Sequence, residues 1–265
     1  MSPISIPGKV TLAKELTWNE TLWNPGMIST ALWLDAADAS TITESGGAVS
    51  QWDDKSGNNY HVSQATAADR PTVSTDAGNA SLLFDGTSDY LRHDVSGTFN
   101  YPSSIFIVCR NTDTANIGHV LSINNSSASD EYATLTQRDS SGQVIRYIVR
   151  DGSANLISAS SAFGTEIIGG VSNASNDNEL FSNGTSVGTD TANFPTPLYD
   201  NITIGRLRYQ STAQHFSGHI HEVIWITQTL TTATRQRIEG YLAHKWGLTA
   251  NLPSNHPYKL VGPTP

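Results

Sequence analysis

The sequence predicts an all-β fold, an antiparallel two-sheet jelly-roll sandwich followed by one C-terminal helix. Short apolar runs recur along the chain and are separated by Gly, Asn, Asp and Ser residues, a pattern typical of sandwiches. Charged residues make up only 15% of the 265 residues, which suits a β domain with polar loops better than a helical protein. Helical periodicity is confined to one segment near the C-terminus. A chain of this length can bury a single core without disulfides.

The predicted strands begin at residues 32–34 and continue as far as residue 226. The run 104–110 is apolar and flanked by polar residues, which predicts a strand covered on both faces. Asp85 and Gly86 predict the tight turn of a hairpin, and Asn183 and Gly184 predict a second one. The other predicted strands are 49–53, 81–85, 120–123, 132–135, 144–150, 166–171, 179–182, 186–188, 201–205 and 220–226.

One helix is predicted after Thr231, whose side chain can cap the first turn. Gly247 ends the helix, and His244 and Lys245 in the last turn complement the helix dipole. Gly240 costs about 1 kcal/mol relative to alanine at an interior position, so the sequence predicts close packing there. The apolar stripe of this helix consists of Ile238, Tyr241, Leu242 and Trp246.

An N-terminal arm is predicted over residues 1–27, and the domain over residues 28–265. Three prolines punctuate the arm, and its few apolar residues cannot bury much surface by themselves. Two alternatives follow: the arm folds back on its own domain, or it docks on a partner. In the second alternative the docking anchors are Leu12, Trp18, Leu22 and Trp23.

The composition also restricts the partners. The formal net charge of −9 disfavours nucleic acid and anionic membrane surfaces. No apolar segment approaches the length of a membrane span, so no membrane insertion is predicted. The N-terminus shows no basic region followed by an apolar stretch, so no secretory signal is predicted. The single cysteine, Cys109, lies in an apolar run and is expected to be buried.

Four short motifs occur in order along the chain, namely LFDGTSDYL at 83–91, LFSNGT at 180–185, IGR at 204–206 and FSGHIHEV at 216–223. Together they resemble the concanavalin A-like lectin/glucanase superfamily, in its laminin-G-like jelly-roll branch. A subgroup of phage and environmental bacterial members is resembled by the segments 33–36 and 51–58 and, near the C-terminus, by 238–248, 252–253 and 256–258. The resemblance covers about residues 29–260 and implies a concanavalin A-like sandwich, but it does not cover the arm.

Catalytic side chains are few. Glucanases of the resembled superfamily place carboxylates at alternate positions of one strand, so that both face a single cleft. Asp177 and Glu179 form the nearest such alternation, but they lie beside a hairpin, and we expect no enzyme activity. His219 and His221 have a spacing that suits a metal site, and the alternative for them is a packed or surface pair.

A loop rich in side-chain oxygens follows the strand at 49–53. Its candidate metal ligands are Asp53, Asp54 and Asn58, which could hold Ca²⁺. Many members of the resembled superfamily bind Ca²⁺. The alternative is that these side chains cap an ordinary turn. No other cofactor is implied.

The best candidate for stacking on a sugar ring is Tyr209, which lies in a polar loop with Arg206 and Arg208. Aromatic residues of β proteins are mostly core residues. We expect this of Trp33, Trp225 and Trp246.

The sequence therefore predicts a non-enzymatic structural protein of a phage virion, assembled in the host cytoplasm as capsid decoration or a tail appendage. The subgroup resemblance, the missing catalytic carboxylates and the arm favour this interpretation. The arm would dock on capsid or tail proteins, while loops on the opposite side would meet host-surface glycans. Self-association of the chain is compatible with this role. The alternative is a stand-alone bacterial carbohydrate-binding or adhesion domain.

Overall fold

The computed structural model describes residues 23–99, 104–113, 118–128, 130–139, 142–161, 164–173, 177–192, 199–207 and 214–265. These residues form seventeen strands and one α-helix, with short 3-10 turns at Pro25–Met27, Ala39–Thr41, Ala67–Asp69 and Thr249–Asn251. The strands are β1 Leu32–Asp35, β2 Ile42–Ser45, β3 Ala48–Trp52, β4 Val62–Ser63, β5 Thr72–Asp76, β6 Asn79–Asp85, β7 Leu91–Phe99, β8 Ser104–Asn111, β9 His119–Asn124, β10 Glu131–Asp139, β11 Gly142–Asp151, β12 Ser153–Ser160, β13 Glu166–Asn173, β14 Asp177–Ser182, β15 Thr185–Asp190, β16 Tyr199–Ile204 and β17 Ser217–Ile226. The helix α1 spans Thr232–Lys245.

The strands are arranged in two antiparallel layers. In the first layer the order is β15-β14-β13-β8-β17, with β6 and β1 beside successive halves of β17 and β5 outside β6. In the second layer the order is β12-β11-β10-β9-β16-β7-β4-β3-β2. A single pair, Ala48 with Thr72, joins the layers between β3 and β5. The predicted two-sheet sandwich with one C-terminal helix is confirmed.

The central strands of the first layer, β13, β8 and β17, are buried on both faces, and we call this layer the helix-covered sheet. Along β8, Ile105, Ile107 and Cys109 face the second layer in the main core, whereas Phe106 and Val108 face α1. This alternation confirms the strand that the sequence predicts to be covered on both sides. Burial raises the pKa of the Cys109 thiol, which keeps it neutral and unreactive.

A β-bulge in β17 changes the face that its side chains occupy. The register against β8 shifts between Ile220 and Glu222, so that Ile220 and Val223 both point into the main core. Beyond the bulge Ile224 points to α1. The same shift turns the fully buried carboxylate of Glu222 toward α1.

The turn at Asp85 is confirmed, but the hairpin predicted around it is wrong. The strand before the turn, β6, pairs with β5 and β17, whereas the strand after it, β7, pairs with β16 and β4. The turn therefore crosses from one sheet to the other. Asp85 organises it by accepting hydrogen bonds from the backbone N–H groups of Thr87, Ser88 and Asp89.

The second predicted hairpin is confirmed. β14 and β15 pair on either side of Asn183 and Gly184. Both turn residues have positive φ, at 47° and 78°, as a type I′ turn requires.

The helix also follows the prediction. Thr231 accepts a hydrogen bond from the backbone N–H of Thr234 at 3.1 Å, and Gly247 follows the helix with φ of 71°. The apolar stripe is buried against the outer face of the helix-covered sheet, together with residues of β1, β8, β13, β14 and β17. No helix among the described residues is long and apolar enough to cross a bilayer.

The close packing predicted at Gly240 is confirmed, and it reverses the usual effect of alanine in a helix. A Cβ at this position would lie 2.5 Å from the Cβ of Tyr258. Gly240→Ala is therefore expected to lower the free energy of unfolding by about 1–3 kcal/mol, although alanine favours an isolated helix by about 1 kcal/mol. Chemical denaturation measures the change. In a Tyr258→Gly background, which removes the clashing Cβ, the same substitution should be neutral or stabilising, and an equal loss in both backgrounds would contradict this account.

Trp23 belongs to the domain, although the sequence places it in the arm. Its side chain is 2% exposed, and its ring packs edge-on against Tyr241 with centroids 6.0 Å apart. Its backbone N–H also donates to the carbonyl of Pro263 at 3.2 Å. Because the indole is buried in the chain's own core, the prediction that Trp23 anchors a partner is wrong. The other predicted anchors, Leu12, Trp18 and Leu22, lie outside the described residues.

Candidate functional site

Among the described residues the outer faces of the two sheets differ in polarity, apart from the polar cluster of Ser81, His219 and His221 beside the helix. The outer face of the helix-covered sheet carries bulky apolar side chains and lies under α1. The outer face of the second layer is lined mainly by hydroxyl, amide and charged side chains. We call it the polar face, and we call the second layer the polar-faced sheet.

The strand register sorts the polar face into three rows, because residues paired across neighbouring strands point to the same side of a sheet. The first row consists of Ser158, Arg146, Thr136 and His119. The second consists of Leu156, Ile148, Thr134, Ser122, Thr203, Arg92 and Ser63. The third consists of Ala154, Arg150, Tyr132, Asn124, Asn201 and Asp94.

The centre of the polar face is a buried hydrogen-bonded floor. His119 Nδ1 lies 2.9 Å from the hydroxyl of Thr134, which lies 3.0 Å from that of Ser122. On its other side His119 Nε2 lies 2.7 Å from Oε1 of Gln214. Burial lowers the pKa of His119 to about 4, so the imidazole is neutral at pH 7. This part of the floor is therefore an uncharged network of hydrogen-bonding side chains.

The floor continues toward the third row. Asn201 donates from its amide to Asp94 Oδ1 at 2.5 Å and accepts from the Thr203 hydroxyl at 2.7 Å. Among the described contacts of the floor, the buried oxygens Asn124 Oδ1 and Thr136 Oγ1 accept no hydrogen bond.

The exposed part of the polar face lies along β11 and β12. Arg146, Ile148 and Arg150 are half-buried at alternate positions of β11. Beside them on β12, Ser158 is exposed and Leu156 is 43% exposed. A ligand can reach these groups directly. The side chains of the floor are buried and hydrogen-bond to one another across neighbouring strands.

The predicted glycan-binding loop borders this face at its described ends. Arg206 places its guanidinium 3.6 Å from the ring centroid of Tyr90, next to the start of β7. The chain returns at Gln214, which contacts His119 of the floor. Arg208 and Tyr209 lie outside the described residues, so stacking by Tyr209 stays a prediction.

Sequence reasoning missed the polar face itself. The signal was present in the alternation of Thr134 and Thr136 on β10, and of Arg146 and Arg150 on β11. Alternation shows that a strand has a polar side, but only the strand register shows that these sides join into one surface.

The calcium-loop interpretation is contradicted by the contacts of Asp54. Its Oδ1 accepts from the backbone N–H groups of Trp33 and Ser56, both at 2.9 Å, and its Oδ2 accepts from the Ser56 hydroxyl and the Tyr60 N–H. Hydrogen atoms of the protein therefore occupy the directions in which a cation would bind.

The other two predicted calcium ligands have structural partners as well. Asp53 accepts from the Gln51 side chain at 2.7 Å, and the Asn58 amide donates to the carbonyl of Ala31 at 2.9 Å. Asp53, Asp54 and Asn58 thus form a capped turn, which is the alternative interpretation. Within the described parts of the chain, no three His, Cys, Asp or Glu side chains are grouped to hold a metal ion.

His219 and His221 form part of a packed polar cluster. His219 Nδ1 lies 3.0 Å from the Ser81 hydroxyl, and His221 Nδ1 donates to the carbonyl of Ala80 at 2.8 Å. Burial lowers the pKa of both imidazoles, which favours their neutral forms. These contacts favour the packed pair over a metal site.

The carboxylates weighed for catalysis lie far from the polar face in the fold. Asp177 and Glu179 line a small cavity of about 70 Å³ beside the start of α1, on the outer side of the helix-covered sheet. Arg235, which also lines this cavity, is bound to Glu239 at 2.6 Å and stacks on Phe181. The arrangement is a helix end packed on a strand.

The comparisons with known proteins show a likeness of fold. No family model matches the chain, and no curated protein matches it. The binding domain of botulinum neurotoxin serotype G superposes with a TM-score of 0.56 at 13% identity, over 83% of this chain and 51% of that chain. The carbohydrate-binding module (CBM40) of the Ruminococcus gnavus IT-sialidase superposes with a TM-score of 0.43 at 17% identity, over 54% of this chain and 93% of the module.

A third solved structure is the NanB sialidase from Streptococcus pneumoniae, with a TM-score of 0.46 and 17% identity over 58% of this chain. This chain spans only 26% of that sialidase. All of these are similar in having lectin-like β-sandwich folds. The predicted lectin-like sandwich is therefore confirmed at the level of the fold.

Proposed function

We propose that this chain is a non-enzymatic, lectin-like domain that binds glycans on the polar face. The observation that carries the proposal is the contrast between the two outer faces. One is apolar and lies under α1, whereas the other is a broad sheet surface rich in hydroxyl, amide and guanidinium groups. A β-sandwich offers an extended ligand two outer sheet faces. In this protein α1 covers much of one of them, which leaves the polar face for a ligand.

The chemistry of the exposed groups matches that of sugars. Sugar rings present hydroxyl groups at their edges and C–H groups on their faces. Ser158 and the arginines can hydrogen-bond hydroxyl groups. Leu156 and Ile148, which face each other across β11 and β12, offer an apolar surface for a ring face. The sialidase module in the comparisons is named as carbohydrate-binding and is described bound to sialyllactose, which is compatible with this proposal.

The polar face lacks the groups for glycoside hydrolysis. That reaction uses two carboxyl groups on either side of the scissile bond. Within the three rows Asp94 is the single carboxylate, and it is bound to Arg92 at 2.8 Å. This supports a binding role for the face rather than a catalytic one.

A glycan array on the purified chain, followed by calorimetry with the tightest ligand, tests the proposal. Leu156→Ala is expected to weaken binding about threefold to tenfold, because it removes exposed apolar surface next to the ligand. Val73→Ala is the matched control, since Val73 is 42% exposed on β5 of the other sheet. Equal effects of the two substitutions, or an array with no bound glycan, would contradict the proposal.

Display on a phage virion stays a prediction, which rests on the subgroup resemblance, the missing catalytic carboxylates and the arm. In that setting residues 1–22 would dock on a capsid or tail protein and the polar face would meet host glycans. A stand-alone carbohydrate-binding domain agrees equally well with the polar face. A truncation that removes residues 1–22 and still joins the particle would exclude docking through the arm.

A further inference from the structure

The exposed edge of the polar face carries positive charge on a protein whose formal net charge is −9. Arg146 and Arg150 lie on the same side of β11, separated by four residues, which places their Cα atoms about 13 Å apart. Both are partly exposed. The three rows contain three arginines and one carboxylate, so the face as a whole carries an excess of positive charge.

Arg150 is not neutralised within the described part of the chain. Its side chain makes a single hydrogen bond, from Nε to the carbonyl of Gly152 at 3.4 Å. Two acidic residues lie nearby, Glu131 on β10 and Asp151 on β11. They are directly paired across the two strands and point to the opposite side of the sheet from Arg150. By contrast Arg92, at the far end of the polar face, is bound to Asp94.

Between the two arginines lies an apolar ledge. It consists of Ile148 on β11 and Leu156 on β12, which are directly paired. β12 is an edge strand and contains no charged residue and no proline. No side-chain charge on β12 therefore repels a ligand that binds along this edge. The ledge and its flanking guanidinium groups form a surface on which an extended chain can lie.

We infer that the ligand is an acidic polysaccharide, whose carboxylate or sulfate groups bind Arg146 and Arg150 while a sugar ring lies on the ledge. This inference rests on the proposed function and names the class of glycan. Arginine binds carboxylate and sulfate oxygens through paired N–H groups, so two such contacts select charged sugars over neutral ones. Nucleic acid fits less well, because binding of single strands relies on stacking of bases on exposed aromatic rings, and within the three rows the ring of Tyr132 is only 7% exposed.

Calorimetry with four probes tests the inference, using polygalacturonate, chondroitin sulfate, neutral dextran and a single-stranded DNA. We expect one of the acidic polysaccharides to bind at least tenfold more tightly than dextran and DNA. Arg150→Gln should weaken that binding about tenfold, the loss typical of a charge-assisted hydrogen bond, and adding Arg146→Gln should weaken it further. Arg237→Gln is the matched control, because Arg237 is a half-buried arginine of α1 on the other side of the sandwich, and it should change the affinity less than threefold.

Each other outcome has a distinct meaning. If dextran binds as tightly as the acidic chains, or if Arg150→Gln and Arg237→Gln act equally, the acidic class is wrong and glycan binding stands. If DNA binds as tightly as the acidic polysaccharides, the face is a general polyanion surface and the inference fails. If no glycan on the array and no probe binds, the proposed function fails as well.

Discussion

Replacing Glu222 with alanine is expected to lower the free energy of unfolding by about 3–5 kcal/mol, the loss typical of breaking a buried ion pair. Glu222 is 0% exposed, beneath α1. Its Oε1 accepts from the Trp33 indole at 2.7 Å and from the Tyr241 hydroxyl at 2.9 Å. Its Oε2 accepts from Lys245 at 2.7 Å and from the Trp246 indole at 2.6 Å.

The cost follows from the number of groups left without a partner. Alanine would leave two indole N–H groups and one hydroxyl buried without acceptors, and each such group costs about 1–3 kcal/mol. Burial raises the pKa of Glu222, while the charge of Lys245 acts to lower it. Lys245 is also bound to Asp35 at 2.6 Å, so it keeps one ion pair in the variant. The carboxylate thus ties β1, β17 and α1 together at one point.

Urea denaturation of the full chain measures this effect. Glu222→Gln keeps the shape and part of the hydrogen bonding, so its loss should be smaller than that of the alanine variant. Glu44→Ala removes an exposed carboxylate from β2 and should change the free energy of unfolding by less than about 1 kcal/mol. If Glu222→Ala and Glu44→Ala lower it equally, the cluster does not hold the closing helix.

Trp23→Ala is expected to cost about 3–5 kcal/mol, the range for emptying a buried indole site. The side chain packs in an apolar cluster with Tyr241, and the backbone N–H donates to the carbonyl of Pro263. Deleting residues 1–22 keeps Trp23, and the two alternatives for the arm differ in its effect: docking on a partner predicts a change in the free energy of unfolding of less than about 1 kcal/mol. A large loss for Trp23→Ala together with a small loss for the deletion would place the start of the domain at residue 23.

Thermal unfolding of the two variants decides this boundary. A large loss on deleting residues 1–22 would mean that the arm is part of the stable domain, as the fold-back alternative holds. A small loss for Trp23→Ala would mean that the buried indole contributes little to the stability of the domain. Trp23 would then again be a candidate for docking on a partner.

The features that sequence reasoning predicted are those encoded locally. Asn183 and Gly184 specify their turn through positive φ, and Thr231 and Gly247 mark the helix ends by capping. The run 104–110 is apolar at successive positions, which requires cover on both faces. None of these features depends on the position of a distant strand.

The features that sequence reasoning missed depend on long-range pairing. The turn at Asp85 is readable, but whether it joins neighbouring strands or crosses between sheets depends on β17. Glu222 appears in the sequence as a charge inside an apolar strand, and its partners come from β1 and from α1. The polar face requires the register of seven strands, from β12 to β4, which no local pattern specifies.

The central claim is that glycans bind on the polar face, and nuclear magnetic resonance of the labelled chain tests it most directly. Titration with the tightest glycan from the array should shift the amide signals of β11 and β12 around Ile148, Arg150 and Leu156. The signals of α1 and of the strand carrying Asp177 should stay in place, since they lie on the other side of the sandwich. Shifts confined to α1 and the cavity beside it, with β11 and β12 unchanged, would contradict the claim.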